Sequence, residues 1–272
     1  MSSVFFQNKV IVITGASSGI GLATAIVALQ QNAKVVLAAR KTTELKSILV
    51  QHNFDENNFL IVPTDVSIET DCKNLIEQTI QKFNGIDILI NNAGISMRAA
   101  FSDVDIKVIQ QLMDINFWGT VYCCKYALPY LIKAKGNIAG ISSVAGFKGL
   151  PARTGYSASK FAMNGFLESL RLELVNKSVA VSIICPGYTN SNIRNTALNQ
   201  NGNHQGESPL DEKKLMSAEQ VAFEILNAIE KRKNFTVLTL LGKATFWLNK
   251  FFPKFIDKQT LKLISKEAGS PI

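Results

Sequence analysis

Short runs of apolar, often β-branched residues alternate along the chain with longer stretches of helical periodicity. This alternation predicts parallel strands joined by helices. The predicted strands lie near residues 9–14, 34–39, 59–63, 86–90, 137–142, 179–184 and 235–240, and the helices near residues 19–31, 68–83, 104–133, 155–176 and 217–231. Strands that are apolar on both faces need cover on both faces. We therefore expect an α/β fold with a doubly wound, Rossmann-like parallel sheet of about seven strands and helices on either side.

We expect residues 1–272 to form a single domain, because no linker or repeat divides the chain. Two regions of this domain differ in composition from the rest. Residues 188–216 are polar and rich in turn-forming residues, and they follow the sixth predicted strand. Ligands bind at this edge of such sheets, so we interpret the region as a substrate lid. Residues 242–272 form a basic, amphipathic C-terminal extension, which Pro253 should divide into two short helices.

The C-terminal extension interleaves large apolar residues with lysines. The apolar residues are Phe246, Trp247, Phe251, Phe252, Phe255, Ile256, Leu261 and Ile264, and the lysines are Lys243, Lys250, Lys254, Lys258, Lys262 and Lys266. One interpretation is peripheral contact with an anionic membrane surface. The other, which apolar stripes at helical spacing more often indicate, is packing on the core, the lid or a second subunit.

Composition excludes several classes of protein. No apolar run reaches the roughly 18 residues of a membrane-spanning helix, and the N-terminal residues lack the features of a secretory signal. We therefore expect a cytoplasmic protein. Peripheral attachment to the inner face of a membrane is the alternative. Four cysteines without C-x-x-C spacing and only two histidines predict reduced thiols and no metal. The net charge of +8 suits nucleic acid, an anionic membrane surface or a phosphorylated cofactor, and its sign alone does not decide among them. No reader motif predicts nucleic-acid binding.

A glycine-rich turn follows the first predicted strand and opens the first predicted helix. In this position backbone amides and the positive end of the helix dipole can approach a diphosphate. The candidate cofactor residues here are Gly15, Ser17, Ser18, Gly19, Ile20 and Gly21. Glycines also make ordinary tight turns, but placement between a strand and a helix favours a dinucleotide site.

The second predicted strand ends in Arg40 and Lys41, where an NAD-dependent enzyme would offer a carboxylate to the adenosine ribose. A guanidinium fork suits a 2′-phosphate instead, so the predicted cofactor is NADP(H). The alternative is that Arg40 only solvates the strand end. Asp65 and Val66 follow the third strand, where the carboxylate could meet the adenine amino group or begin the next helix.

Tyr156 and Lys160 stand four residues apart where a long helical pattern begins, so both side chains should emerge on one face. A free phenol has a pKa of about 10, and a nearby ammonium group stabilises the phenolate. The pair can therefore carry acid/base chemistry. An exposed helical pair is the alternative when this spacing occurs alone.

The motifs together resemble the classical short-chain dehydrogenase/reductase family. The family joins T-G-x-x-x-G-x-G, N-N-A-G, a serine and Y-x-x-x-K in this order, and here they are residues 14–21, residues 91–94, Ser143 and residues 156–160. The resemblance covers roughly residues 8–190. It implies that Tyr156 is the general acid or base, Lys160 lowers its pKa and contacts the nicotinamide ribose, and Ser143 orients the substrate oxygen.

The resemblance also implies further site residues. Asn116 matches the family's helix-bending asparagine, which holds a water that links Lys160 to solvent. Cofactor contacts are implied for Asn92, Ala93, Gly94, Pro186, Gly187, Thr189 and Ser191. Threonine is frequent in the family at the position of Ser191, which keeps the hydroxyl. The loops that would wall the substrate suggest a partly apolar pocket, with Ser96, Met97, Phe147 and Tyr188 as candidates.

The predicted function is NADP(H)-dependent interconversion of a small-molecule carbonyl, a ketone or aldehyde, with an alcohol, on a substrate that could be lipophilic. A non-catalytic NADP(H)-binding sensor or scaffold at a membrane is the alternative. A sugar-nucleotide epimerase or dehydratase is a third reading, which the glycine spacing disfavours. The resemblance also implies a homodimer or homotetramer that pairs through the helices near 104–133 and 155–176, where Phe161 and Phe166 leave apolar surface.

Overall fold

The computed structural model describes residues 4–190, 192–206 and 215–272. Within them, seven strands form one sheet in which neighbouring strands are parallel. The strands are β1 (Val10–Thr14), β2 (Lys34–Ala39), β3 (Phe59–Pro63), β4 (Ile88–Asn91), β5 (Asn137–Ile141), β6 (Ala180–Cys185) and β7 (Phe235–Val237). Their order is β3-β2-β1-β4-β5-β6-β7, and it reverses between β1 and β4. The predicted doubly wound, Rossmann-like fold is confirmed.

Helices cover both faces of this sheet. The described α-helices are α1 (Gly19–Gln30), α2 (Leu45–Gln51), α3 (Glu69–Phe83), α4 (Ile106–Met113), α5 (Gly119–Ala134), α6 (Thr154–Glu173), α7 (Ala218–Glu230), α8 (Leu240–Phe251) and α9 (Pro253–Ile264). Short 3₁₀ turns occupy Glu56–Asn58, Val144–Gly146 and Val175–Lys177. The predicted positions of the strands and of the main connecting helices are therefore confirmed, with the differences described below.

β1 shows why the sheet needs two helical layers. Ile11 and Ile13 pack with α1 and α7 on one face, whereas Val12 packs with α3, α5 and α6 on the other. All three side chains are fully buried. Successive side chains of a strand point to opposite faces, so a strand that is apolar at every position is stable only between two covering layers. This packing fixes the carboxyl ends of the strands, where the candidate site lies.

The helix predicted near residues 104–133 is not regular throughout. Asp114–Trp118 forms a wider π-helical turn between α4 and α5, and Asn116 lies at its centre with a fully buried side chain. Such turns inside α-helices are frequent at functional sites. Apolar periodicity does not distinguish a π turn from regular helix, which is why the sequence predicts one continuous element.

Three further boundaries are informative. The sequence does not predict α2, a seven-residue helix in which only Leu45 and Leu49 are buried. β7 ends at Val237 and not near residue 240, because the hydroxyl of Thr239 caps α8 by accepting a hydrogen bond from the Gly242 N–H at 3.1 Å. Pro253 begins α9, so the predicted division of the C-terminal extension into two short helices is confirmed.

The described ranges also bear on membranes and metals. No helix within them is long and apolar enough to cross a membrane. They contain no group of three His, Cys, Asp or Glu side chains that could hold a metal ion. The four cysteines are buried free thiols, and burial raises the pKa of both Cys124 and Cys185 to about 12. These two thiols are therefore neutral and poorly reactive at physiological pH.

Candidate active site

Two positions of the glycine-rich turn between β1 and α1 have no room for a side chain. Gly15 has a φ of +65°, and a methyl group placed there would lie 2.7 Å from the Cα of Ala93. A methyl group on Gly21 would lie 2.4 Å from the Gly15 carbonyl oxygen. Ser18 precedes α1, and its side chain does not cap the helix. The first N–H groups of α1 are therefore available to an anion, as a cofactor diphosphate requires.

The N-N-A-G segment holds this turn in place. The amide of Asn92 donates hydrogen bonds from Nδ2 to the carbonyl oxygens of Thr14 and Gly15, at 2.9 and 3.1 Å. The hydroxyl of Thr14 accepts from the backbone N–H groups of Asn92 and Ala93, both at 3.0 Å. These four bonds join the carboxyl ends of β1 and β4 at the point where the sheet order reverses. Ligands of doubly wound folds bind at such a reversal.

The adenosine end of the predicted cofactor site is exposed. Arg40 directly follows β2, and its exposed side chain has no hydrogen bond or ion pair with the residues that the structure describes; Lys41 beside it is exposed as well. The carboxylate of Asp65 is hydrogen-bonded within its own turn, because its Oδ1 accepts from the N–H and the hydroxyl of Ser67 at 3.0 and 2.7 Å. Val66 is buried against Gly119. The cofactor roles of these residues stay predictions.

Tyr156, Lys160 and Ser143 converge at the carboxyl end of β5. Tyr156 and Lys160 lie in the first turns of α6 and are both buried. The amine of Lys160 donates to the carbonyl oxygen of Ile141, the last residue of β5, at 2.9 Å. Ser143 lies two residues further on, and its Oγ accepts from the Ala145 N–H at 3.1 Å. Oγ acts there as an acceptor, which leaves the Ser143 O–H as a donor directed to the Tyr156 phenol, the group beside which a substrate oxygen would bind.

Asn116 contacts the same cluster from the π turn. Its side chain exchanges two hydrogen bonds with the backbone of Ile95, at 2.8 and 3.0 Å, and donates to the Ser159 hydroxyl at 2.9 Å. A methyl group on Gly94 would lie 3.2 Å from Asn116 Oδ1 and 3.4 Å from Lys160 Nζ. The side chain of Asn116 thus ties the loop after β4 to α6. Its implied role in holding a water stays a prediction.

Burial dominates the electrostatics of the pair. It raises the pKa of the Tyr156 phenol, while a hydrogen bond with the Ser143 side chain and the charge of Arg153 act in the opposite direction. Burial lowers the pKa of Lys160 to about 8. The resemblance implies that Lys160 lowers the tyrosine pKa. That role stays a prediction; in this structure the lysine amine donates to the Ile141 carbonyl.

The P-G turn after β6 lies where the sequence predicts. Pro186 is buried, and a methyl group on Gly187 would lie 2.6 Å from Oγ1 of Thr239, so the turn packs closely against the start of α8. Thr189 is buried, and its hydroxyl donates to the Gly187 carbonyl oxygen at 3.2 Å. Ser191 lies outside the described residues. Contacts of this turn with a cofactor stay predictions.

The predicted lid is described only in part, because residues 207–214 lie outside the described residues. Its first half pairs with the loop after β4: the Arg98 N–H donates to the Leu198 carbonyl oxygen at 2.8 Å, and the Leu198 N–H donates to the Ser96 carbonyl oxygen at 2.9 Å. The lid therefore lies against the predicted substrate wall. Its opening and closing stay a prediction.

The candidate residues of the substrate wall have different surroundings. Met97 packs in one buried cluster with Tyr156, whereas Phe147 packs against the rings of Phe235 and Phe246. A small pocket in the wall is lined in part by arginines. Its lining residues are Ser96, Met97, Arg98, Arg153, Arg194, Ala197 and Gln205.

Comparison with known proteins agrees with this geometry. The family model described as short chain dehydrogenase matches residues 9–202. A dehydrogenase/reductase SDR family protein 7-like from Drosophila melanogaster is 35% identical over 273 residues, covering 97% of this chain and 84% of that protein. The 11-beta-hydroxysteroid dehydrogenase-like 4A of Arabidopsis thaliana is 35% identical over 259 residues, covering 92% of this chain and 83% of that protein.

Solved structures share the fold. A short-chain dehydrogenase/reductase of unknown function from Caenorhabditis elegans, with cofactor, superimposes with a TM-score of 0.76 at 25% identity, covering 85% of this chain and 94% of that chain. A short-chain dehydrogenase/reductase from Burkholderia phymatum in complex with NAD has a TM-score of 0.81 at 24% identity, covering 93% and 96%. The chain is a member of the short-chain dehydrogenase/reductase family, whose fold binds a nicotinamide dinucleotide.

Proposed function

We propose that the protein is an NADP(H)-dependent oxidoreductase that interconverts a ketone or aldehyde with the corresponding alcohol. The observation that carries this proposal is the convergence of buried Tyr156 and Lys160 with Ser143 at the carboxyl end of β5. The glycine turn lies at the same edge of the sheet. A binding module has no need of an acid/base pair, so the sensor alternative is not favoured.

The residues of the chain divide the chemistry between them. A nicotinamide dinucleotide, when bound at the glycine turn, supplies or accepts the hydride. In reduction, Tyr156 donates its phenolic proton to the carbonyl oxygen, and Ser143 donates a hydrogen bond to the same oxygen as negative charge develops there. In oxidation, the phenolate of Tyr156 accepts the alcohol proton. Lys160, with a pKa of about 8, can gain and lose a proton near neutral pH.

The preference for NADP(H) rests on Arg40 and Lys41. Both are exposed at the end of β2, and no carboxylate stands at that position to bind the ribose hydroxyls of NAD(H). A guanidinium group can bind a phosphate with two parallel hydrogen bonds.

The test is titration of the purified protein with NADPH and NADH, followed by NADPH consumption with a panel of ketones and aldehydes that includes lipophilic ones. Tighter NADPH binding and turnover of one panel member are the expected results. Binding without turnover across the panel would favour the sensor, and conversion of nucleotide sugars without net cofactor oxidation would favour an epimerase.

A second proposal is peripheral attachment of the C-terminal extension to the cytoplasmic face of an anionic membrane. Large apolar side chains of α8 and α9 lie in water, with exposed fractions of 59% for Trp247, 71% for Phe251, 60% for Phe252 and 56% for Phe255. Lys250 lies among them, over the rings of Phe246 and Trp247 at 4.4 and 4.8 Å. Apolar side chains beside lysines are what an anionic bilayer surface binds. The exposure of these four side chains supports a surface role for the extension over packing of these side chains on the core.

Vesicle sedimentation tests this attachment. The protein should sediment with vesicles of phosphatidylcholine and phosphatidylserine, and much less with phosphatidylcholine alone. A variant with Trp247→Ser and Phe251→Ser should stay in the supernatant in both cases. The surface would instead bind a second subunit if two results came together. Wild type and variant would remain in the supernatant to the same extent, and only the wild type would show a mass in light scattering that rises with concentration.

We also infer that the protein forms a homodimer or homotetramer through α5 and α6. Phe161 and Leu172 of α6 are 46% and 69% exposed, and Trp118 next to α5 is 43% exposed. Self-association is common in the family. Light scattering after size exclusion should give twice or four times the chain mass. A monomer at micromolar concentration would contradict this inference.

A further inference from the structure

A buried carboxylate from the C-terminal end lies on the substrate wall. Glu267, just beyond α9, has a side chain only 3% exposed. Its Oε2 lies 2.7 Å from Nη2 of Arg153 and 3.5 Å from Nε of Arg98, and the Tyr188 hydroxyl donates to Oε1 at 3.3 Å. Arg98 also donates to the carbonyl oxygen of Ala268. The contacts join the loops after β4, β5 and β6 to the C-terminal residues.

The charges of this cluster do not balance. Two guanidinium groups share one carboxylate, and Arg98 and Arg153 are 7% and 8% exposed. Within the described part of the chain, Nη1 of Arg153 is buried without a hydrogen-bond partner, and Nε of Arg98 has an ion-pair contact with Glu267 at 3.5 Å but no hydrogen bond. Buried positive charge that one carboxylate only partly offsets is costly, so such a cluster favours the binding of an anion.

The cluster lies beside the proposed proton donor. Arg153 immediately precedes α6 and is close enough to Tyr156 for its charge to lower the tyrosine pKa. Arg98 follows Met97, which packs against Tyr156. The pocket between the two arginines has a volume of about 20 Å³, enough for roughly one water. A ligand group larger than this must displace the Glu267 side chain to reach the two arginines.

We propose that Arg98 and Arg153 form an anion subsite of the substrate pocket that binds a carboxylate group of the substrate, and that Glu267 occupies this subsite in the structure. Guanidinium groups bind carboxylates with charge-assisted, often bidentate hydrogen bonds. The substrate would then be a carbonyl or alcohol compound with a carboxylate beyond the reacting carbon. That the bound ligand is a substrate rests on the proposed function, whereas the anion subsite requires only that the ligand binds.

Glu267 competes with such a ligand, which gives the proposal a direct consequence. Removing the charge of Glu267 while keeping its shape should weaken the hold of the two guanidinium groups on this side chain, so that a ligand carboxylate displaces it more easily. Removing Arg153 should remove the main partner of the carboxylate. A neutral ligand of the same size should respond to neither change.

Calorimetric binding to the full chain with saturating NADPH tests this, using 4-acetylbenzoate and its neutral counterpart 4-acetylbenzamide. Glu267→Gln should tighten 4-acetylbenzoate binding about tenfold or more, and Arg153→Gln should weaken it about tenfold, from the usual strength of hydrogen bonds to charged groups. Binding of 4-acetylbenzamide should be unchanged. Glu173→Gln, at an exposed position of α6, is the matched control and should behave as wild type.

Equal 4-acetylbenzoate affinity in Glu267→Gln and wild type, or binding in neither, would overturn the proposal. If Glu267→Gln does not fold, Arg98→Gln replaces it and should weaken the carboxylate ligand relative to the amide. Turnover is measured separately. If the variants change 4-acetylbenzoate affinity as predicted but no ketone is reduced, the proposed function alone is overturned. If both ketones are reduced and neither binding nor turnover changes in the variants, the subsite alone is overturned.

Discussion

The cofactor end and the substrate wall of this protein are built in different ways. At the cofactor end, backbone atoms form most of the site. Gly15 and Gly21 leave no room for a side chain, and Asn92 binds backbone carbonyls. At the substrate wall, side chains that are far apart in the sequence meet, as Arg98 and Glu267 do. The first end is constrained by geometry common to its family, whereas the second can change with single substitutions.

Lys160 lies between the two ends, and its buried charge gives the largest stability effect that we expect. Its folded pKa of about 8 is below the ordinary 10.5, so between these values the unfolded chain binds more protons. The free energy of unfolding should therefore rise with pH over this range, by about 3 kcal/mol in total for this group. Below pH 8 the cost of the buried charge is present in full.

Chemical denaturation of the protein without cofactor, from pH 7 to pH 10, measures this effect. Lys160→Met provides the reference, because other titrating groups are common to both proteins. The difference in unfolding free energy, wild type minus variant, should increase with pH. A difference that is constant over the range would show that Lys160 is not buried as a charge.

A second comparison concerns the two kinds of glycine. Gly21→Ala should weaken cofactor binding about tenfold or more and lower stability by about 2 kcal/mol, because the new methyl group meets the backbone of Gly15. Gly85→Ala, before β4, is the control, since a methyl group there meets nothing within 4 Å. It should stabilise the protein by about 0.5 to 1 kcal/mol and leave cofactor binding unchanged.

Fluorescence titration and thermal unfolding measure both glycine variants. If Gly21→Ala binds the cofactor as tightly as Gly85→Ala does, the cofactor end is not the rigid backbone site described above, and the contrast between the two ends would be lost.

The smallest expected effect is on cofactor choice. If Arg40 binds the 2′-phosphate as we propose, Arg40→Ala should weaken NADPH binding about tenfold, or about 1.4 kcal/mol, and leave NADH binding unchanged, because NADH lacks this phosphate. Competition between the two cofactors on wild type and variant measures the ratio directly. Equal loss for both cofactors would mean that Arg40 supports the site without selecting the phosphate.

The fold could be read from the sequence because its signals are local. The run of apolar residues in β1 and the periodicity of α7 each specify an element without reference to distant residues. The π turn around Asn116 and the short α2 could not be read in this way. The first depends on contacts of Asn116 with Ile95 and Ser159, and the second buries only two residues.

The same distinction between local signals and distant contacts applies to the candidate site. Tyr156 and Lys160 are one helical turn apart, so their spacing alone predicts a shared face. The ion pairs of Glu267 with Arg98 and Arg153 could not be predicted, because 169 and 114 residues separate the partners and no motif marks them. A buried carboxylate near the end of a basic segment gives no sequence signal either, since the surrounding lysines suggest a solvated surface.

The central claim is that Tyr156 donates the proton in a reduction that consumes NADPH. The most direct measurement is a single turnover of enzyme with bound NADPH and a ketone that the panel identifies, with alcohol formation followed by mass spectrometry in wild type and Tyr156→Phe. Wild type should form one alcohol per NADPH oxidised, and the variant should bind NADPH equally well but react at least about a hundredfold more slowly. Equal rates in the two proteins would contradict the account.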